Sequence, residues 1–214
     1  ELTGADVRLV RTGMAADSRI GSKFLYPGCG YGGSCFPKDV KALINTASAH
    51  GYRMKVISAV EEVNTEQKKT VFNKLKAAFG GNMSGRTVAV WGLSFKPCTD
   101  DMREAPSIVT VSMLLDSGVR VKVFDPVAMD TARSIFRNRV TYCRDIYDAA
   151  SGADAVALVT EWKQFRIPDW KRLKNVMKGN ILVDGRNIYN SCELEAAGID
   201  YYCIGCSHDT IRKR

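Results

Sequence analysis

With 214 residues the chain has room for one large domain or one and a half average ones. Its 45% hydrophobic and 25% charged residues are ordinary for a soluble globular protein, and no stretch approaches the roughly 18 uninterrupted apolar residues of a membrane span, so no membrane partner is expected. The net charge of +8 is compatible with nucleic acid, an anionic surface or an anionic small molecule. The cations are scattered among acids except in the terminal Ile211-Arg212-Lys213-Arg214, and no aromatic and basic stripe accompanies them. A phosphorylated substrate is therefore a better account of the charge than nucleic acid.

Seven cysteines, spread through apolar runs, suit reduced thiols in a cytoplasm rather than a secreted disulfide framework. Glu1 opens the chain without an initiator Met or the layout of a signal peptide, which makes the sequence look like a piece of a longer protein.

In chain order, Glu1 to Ala5 reads as the tail of a helix stopped at Gly4, and a helix of about ten residues follows from Asp6, with Val7, Leu9, Val10 and Met14 as its apolar positions. Asp17 to Gly21 makes a turn in which Arg19 reads as a solvated or capping side chain, and Phe24, Leu25 and Tyr26 read as packing residues. Next comes Pro27-Gly28-Cys29-Gly30-Tyr31-Gly32-Gly33-Ser34-Cys35-Phe36-Pro37-Lys38-Asp39. So many closely spaced glycines cannot hold a helix or strand, which predicts a loop whose main chain something approaches closely. Asp39 opens the helical pattern Val40, Leu43, Ile44, Ala47, which ends at Gly51. Cys35 therefore falls in the turn before a helix N-terminus, where unpaired amides and the positive dipole end stabilise negative charge, and the thiolate is the nucleophilic form of cysteine.

A long amphipathic helix is predicted from Met54 to Phe79, interrupted near Asn64-Thr65 and stopped by Gly80-Gly81-Asn82. Its length suits a join between lobes or an oligomer contact. At Gly85 the texture changes. Strands are predicted at 86–93, 120–124, 140–142, 153–160, 180–184 and 199–204, with helices at 105–117, 131–138, 145–150 and 168–177. Such alternation predicts an α/β fold, with a mainly helical region over 1–80 followed by a Rossmann-like, mostly parallel sheet over 81–214.

Ligands of such a sheet bind beyond the carboxyl ends of its strands. Three polar clusters fall there: Gly92 to Glu104, Thr160-Glu161-Trp162, and Val183-Asp184-Gly185-Arg186-Asn187. The first lacks the Gly-x-Gly-x-x-Gly spacing of a dinucleotide fingerprint, and its Lys96 reads equally as a solvated charge or a phosphate contact. A metal site at Cys192, Cys203, Cys206 and His208 is disfavoured, because Cys203-x-x-Cys206 stands without a second close pair.

The stretch Gly-Tyr-Gly-Gly-Ser-Cys-Phe-Pro-Lys-Asp at 30–39 closely resembles the active-site segment of the UDP-glucose 6-dehydrogenases. Gly-x-x-Phe-Lys-Pro-x-Thr-Asp-Asp-x-Arg-Glu at 92–104, Asp-Gly-Arg-Asn at 184–187 and Val-Asn-x-x-Gln at 63–67 are similar to that family as well. The resemblance implies the second half of an NAD-dependent enzyme that oxidises a UDP-sugar twice, as a homodimer. It implies Cys35 as nucleophile and Asp39 as the residue that orients or deprotonates water. It also implies Arg19 reaching a neighbouring subunit's sugar, substrate contacts from Phe24, Tyr26, Gly28, Tyr31, Gly32, Phe95, Lys96 and Arg186, and cofactor contacts from Lys38 and Arg103. Cys98 stands where the family more often has Asn. The alternatives are a related dehydrogenase acting on GDP-mannose or a UDP-N-acetylhexosamine, and a non-catalytic nucleotide-binding module.

Overall fold

The computed structural model describes residues 1–206. Helix α1 (Val7–Ala15) starts at Asp6, whose carboxylate accepts from the Arg8 amide; the segment before it is a turn rather than the tail of a helix. Helix α2 (Phe36–Ala49) has Cys35 at its N-cap and Pro37 in its first turn, where the missing N–H costs no bond. The predicted long helix is two: α3 (Lys55–Gln67) and α4 (Thr70–Ala78). The interruption comes one turn later than the sequence suggested, at Lys68-Lys69, where the Lys69 amide takes the tighter i→i−3 bond to Glu66.

The rest alternates: β1 (Thr87–Trp91), α5 (Pro106–Asp116), β2 (Arg120–Phe124), α6 (Met129–Phe136), β3 (Thr141–Tyr142), α7 (Ile146–Ala150), β4 (Ala155–Leu158), a 3-10 turn at Lys163–Phe165, α8 (Trp170–Val176), β5 (Ile181–Asp184), α9 (Ser191–Ala196) and β6 (Asp200–Cys203). The six strands are all parallel, in the order β3-β2-β1-β4-β5-β6, with Val88 of β1 paired to Val121 of β2 and Ala155 of β4. This is the doubly wound order of the Rossmann type, which reverses direction between β1 and β4. Short α9 was not apparent in the sequence, although Asn190 caps it by accepting from the Cys192 amide and Glu193 stands three residues on.

Alternation along β1 divides the core between two faces. Val88 and Val90 pack with Val71 and Leu75 of α4, Val111 and Leu114 of α5 and Phe136 of α6. Ala89 and Trp91 face Ala149 of α7, Phe165, Leu173 of α8 and Leu194 of α9. Helix α4 thus belongs to the sheet's packing, lying against β4, β5 and α5, whereas α1 buries none of its residues. Among the described residues, no helix is long and apolar enough to cross a membrane.

Candidate active site

The polar clusters at the strand ends are built around two buried aspartates. Asp125, directly after β2, accepts from the amides of Leu93, Ser94, Val127 and Ala128 and from Trp162 Nε1. It thereby fastens the start of the 92–104 loop. Asp184, the last residue of β5, accepts from the amides of Arg186, Ile188 and Tyr189 and from the Tyr201 hydroxyl. Burial pushes its carboxyl up while these donors pull it down. The sequence signal for both was an acid placed at a strand's end; their role as anchors required the fold.

The glycine-rich loop is fastened between α3 and these strand ends. Asn64 accepts from the Tyr31 amide at 2.8 Å and donates to the Tyr31 carbonyl, and Gln67 donates to the Gly28 carbonyl at 2.7 Å. The Cys29 amide bonds the Gly185 carbonyl at 2.9 Å, and burial pushes the Cys29 thiol up. The Gly33 amide donates to the Arg103 carbonyl at 2.8 Å. A Cβ on Gly32 would stand 2.8 Å from the Glu104 carbonyl carbon, and one on Gly33, at φ +104°, would stand 2.8 Å from the Phe95 ring. The close approach that the glycines predicted is therefore made, at these two positions, by the 92–104 loop of the protein itself.

Cys35 is exposed at the start of α2, with Ser34 Oγ 3.6 Å from its sulfur. A cleft of about 640 Å3 adjoins it, lined by Gly33, Ser34, Lys38, Lys41, Arg103 and Glu104 among others. Asp39 lies one helical turn from Cys35, its amide bonded to the Cys35 carbonyl and its carboxylate 3.1 Å from Lys38 Nζ, both side chains exposed. The Arg103 guanidinium is also exposed, held in a fork by Asp101 at 2.8 Å. Tyr31 packs edge-on against Phe36 and donates to Glu61 at 3.0 Å; burial and that carboxylate push its phenol up to about 12.

Arg186 is mostly buried, its Nε 2.7 Å from the Val159 carbonyl and 3.3 Å from Glu161, and its Nη1 3.3 Å from the Gly30 carbonyl. The fork that suggested a ligand contact thus ties the glycine loop to the end of β4. Lys96 is exposed, 5.3 Å from the half-buried Phe95 ring. Cys98 takes φ +64°, a left-handed conformation that Asn tolerates better than Cys.

Arg19, Phe24 and Tyr26 lie outside this cluster of contacts. Arg19 is paired with Asp17 at 2.6 Å and is 87% exposed. Phe24 and Tyr26 are exposed rather than packed, because Arg11 organises the stretch from outside: its guanidinium sits 3.7 Å over the Tyr26 ring and donates to the Ser22 and Phe24 carbonyls.

Sequence reasoning passed over a set of charges between the loops. Glu104 pairs with Lys41 at 2.6 Å and Lys68 at 3.0 Å, and Lys41 also approaches Glu61 at 3.7 Å. On helical faces such charges read as solvated, and only their convergence from α2, α3 and the loop reveals the network.

Of the dinucleotide, these residues fit a rim contact only. Asp125 stands where a dinucleotide fold places its ribose-binding acid, but it is fully buried and occupied by loop amides. Lys38 and Arg103, by contrast, are exposed cations lining the cleft and fit an anionic group. As for the metal considered above, Cys192 is exposed, Cys203 and Cys206 are buried, and His208 lies outside the described residues. Cys206 Sγ is 3.1 Å from Asp6, and among the described residues no group of three or more ligand side chains is assembled for a metal.

Residues 1–66 match the central domain of the UDP-glucose/GDP-mannose dehydrogenase family, and residues 89–191 match its UDP-binding domain. The chain is 50% identical over 209 residues to a UDP-glucose 6-dehydrogenase of Pseudomonas aeruginosa, covering 95% of this chain and 46% of that relative. A UDP-glucose 6-dehydrogenase of Rhizobium meliloti is 46% identical over 96% of this chain and 47% of its own. The solved structure of a UDP-glucose dehydrogenase from Pyrobaculum islandicum superposes with a TM-score of 0.85 at 34% identity, over 97% of this chain and 45% of that one. The chain thus spans about half the length of the curated relatives it matches. With both its helical and its sheet portions matched, it belongs to the UDP-glucose/GDP-mannose dehydrogenase family.

Proposed function

We propose that this chain carries the nucleophile and most of the sugar-nucleotide site of an NAD-dependent UDP-glucose 6-dehydrogenase, with a helical domain over 1–80 and a UDP-sugar-binding domain over 81–214, α4 being the part of the first that packs on the sheet. The observation that carries this reading is the placement of Cys35: exposed at the start of α2, beside a cleft lined by Lys38, Arg103 and the paired Lys41 and Glu104. That cleft suits an anionic ligand next to a nucleophile.

In this reading NAD supplies the hydride acceptor for both oxidations of the sugar's C6. Between them, Cys35 Sγ adds to the aldehyde carbon as a thiohemiacetal, which keeps the intermediate from leaving. At the next oxidation level the same sulfur holds the acyl group as a thioester. Asp39, a turn away, orients or deprotonates the water that attacks the thioester carbon; the C–S bond breaks and the thiolate departs, leaving UDP-glucuronate. Gly28, Tyr31, Gly32, Phe95 and Lys96 supply the UDP-sugar wall together with Arg186, whose Nε and Nη1 also hold the glycine loop to the end of β4, and Lys38 and Arg103 supply the rim toward NAD. The whole protein works as a cytoplasmic homodimer in which Arg19 reaches the neighbouring subunit's sugar, while Phe24 and Tyr26 contact the UDP-sugar of their own subunit. The exposure of all three supports contacts outside this chain.

The test is competitive alkylation followed by mass spectrometry. Cys35 is expected to react faster than Cys98 and Cys192, the other exposed thiols, and to be protected by UDP-glucose more than by GDP-mannose. Equal labelling that ignores both ligands sinks the catalytic assignment. This chain by itself is expected to give no sustained NADH absorbance with UDP-glucose and NAD, and continued turnover would show that it holds a complete enzyme.

A further inference from the structure

Glu104 combines two costly features. Its backbone takes φ +54°, where a non-glycine residue is strained, and its carboxylate reaches Lys68, whose side chain is only 8% exposed. A buried ammonium requires a partner, and an apolar pair would fasten a loop without that demand. The arrangement also spans three separate segments: Lys41 lies on α2 behind Cys35, Lys68 follows α3, and Glu104 ends the loop that presents Arg103. At the same loop, the Gly33 amide bonds the Arg103 carbonyl, and Gly32 is pressed against the Glu104 carbonyl.

We propose that the Lys41–Glu104–Lys68 cluster is a latch that positions Arg103 at the mouth of the Cys35 cleft, so that the alignment of the cofactor-side cation with the nucleophile is set by ion pairs. Neither lysine nor Glu104 touches the reacting atoms in this scheme; all three are positioning residues. Opening the latch frees the backbone at 103–104 from the glycine loop and lets Arg103 swing with Asp101. The inference rests on the proposed role of Arg103 toward NAD, and its test therefore has one readout that needs no activity.

The experiment compares Glu104→Gln, Glu104→Gly and Lys68→Met in the full-length protein. KM for NAD is expected to rise about tenfold in each, more than kcat or KM for UDP-glucose changes. Exchange of the Gly33 amide in the resting protein should accelerate by a similar factor of about ten. Glu104→Gly is decisive, because it relieves the backbone while deleting the charge. Wild-type behaviour of that variant would show that loop shape alone positions Arg103 and would overturn the latch. Equal loss in all kinetic parameters, or unchanged Gly33 exchange in Glu104→Gln and Lys68→Met, would overturn it too. If the wild-type protein oxidises no UDP-sugar, the proposed function fails, and the Gly33 exchange alone decides the latch.

Discussion

At Cys98 and Gly32 backbone geometry sets the cost of a side chain, against the resident residue at the first and in its favour at the second. Because Cys98 sits at φ +64° and is exposed, its replacement costs no packing. Cys98→Asn should raise the unfolding free energy by about 1 kcal/mol, since left-handed residues other than Gly, Asn and Asp pay roughly that much; urea denaturation measures it. Gly32→Ala should do the opposite, losing about 1–3 kcal/mol as the new methyl meets the Glu104 backbone, which cannot yield as a flexible side chain would. A Gly32→Ala protein as stable as wild type would mean that the two loops do not meet as described. Glu104 adds a pH signature. Lys41 first, and then Lys68, hold its carboxyl below the usual glutamate range, while Glu61 and Tyr31 lie beyond Lys41 in the same network. A depressed folded-state value means that the stabilisation is full above the unfolded pKa of about 4.3 and is lost as pH falls through the lower folded value. The melting-temperature gap between wild type and Glu104→Gln should therefore persist at neutral pH and close only in strong acid. Because the Glu104 side chain is 42% exposed, solvent screening keeps that gap small.

Among elements, the loops at the strand ends owe their shape to buried acids rather than to their own composition. Asp125→Ala should cost on the order of 3 kcal/mol, because it leaves four amides and an indole N–H facing a void. Chemical denaturation would show it, and a loss below about 1 kcal/mol would mean water replaces the carboxylate. Helix α3 presents a different case. Its Val56 and Val63 are 75% and 66% exposed, and with Ala59, Val60, Gly30 and Tyr31 they line an apolar groove. Isolated apolar residues on a surface mean little, but a contiguous stripe marks a contact. It supports the proposed homodimer, and Val56→Lys with Val63→Lys should lower the sedimentation mass of the full-length protein while its melting temperature holds. An unchanged mass would remove α3 from the interface. Helix α9 is short, and its signal was a cap rather than a period; Asn190→Ala should cost about 1 kcal/mol by thermal unfolding.

For the whole molecule, the alternation of apolar strands and amphipathic helices was legible in the chain, because a buried parallel strand such as Val88-Ala-Val-Trp91 must be apolar on both faces. So was the placement of Cys35 before a helix, since local glycine and proline chemistry dictates it. The motif residues also pointed to the family, through runs of consecutive matches. What required the tertiary structure was every relation between distant segments. The glycines were legible as a site of close approach, but not that the approaching groups include Glu104 and Phe95. Arg186 was legible as a planar fork, but not that its bonds go to Val159 and Gly30. Lys68 reads in sequence as one more solvated helical charge, and it is buried against Glu104. The chain by itself determined which segments become strands, helices and tight loops, because backbone preference and hydrophobic period act over a few residues. Only the folded molecule decided which polar groups are spent on holding those segments together, because a charge or hydrogen-bond donor takes its role from whatever the fold brings within about 3 Å of it.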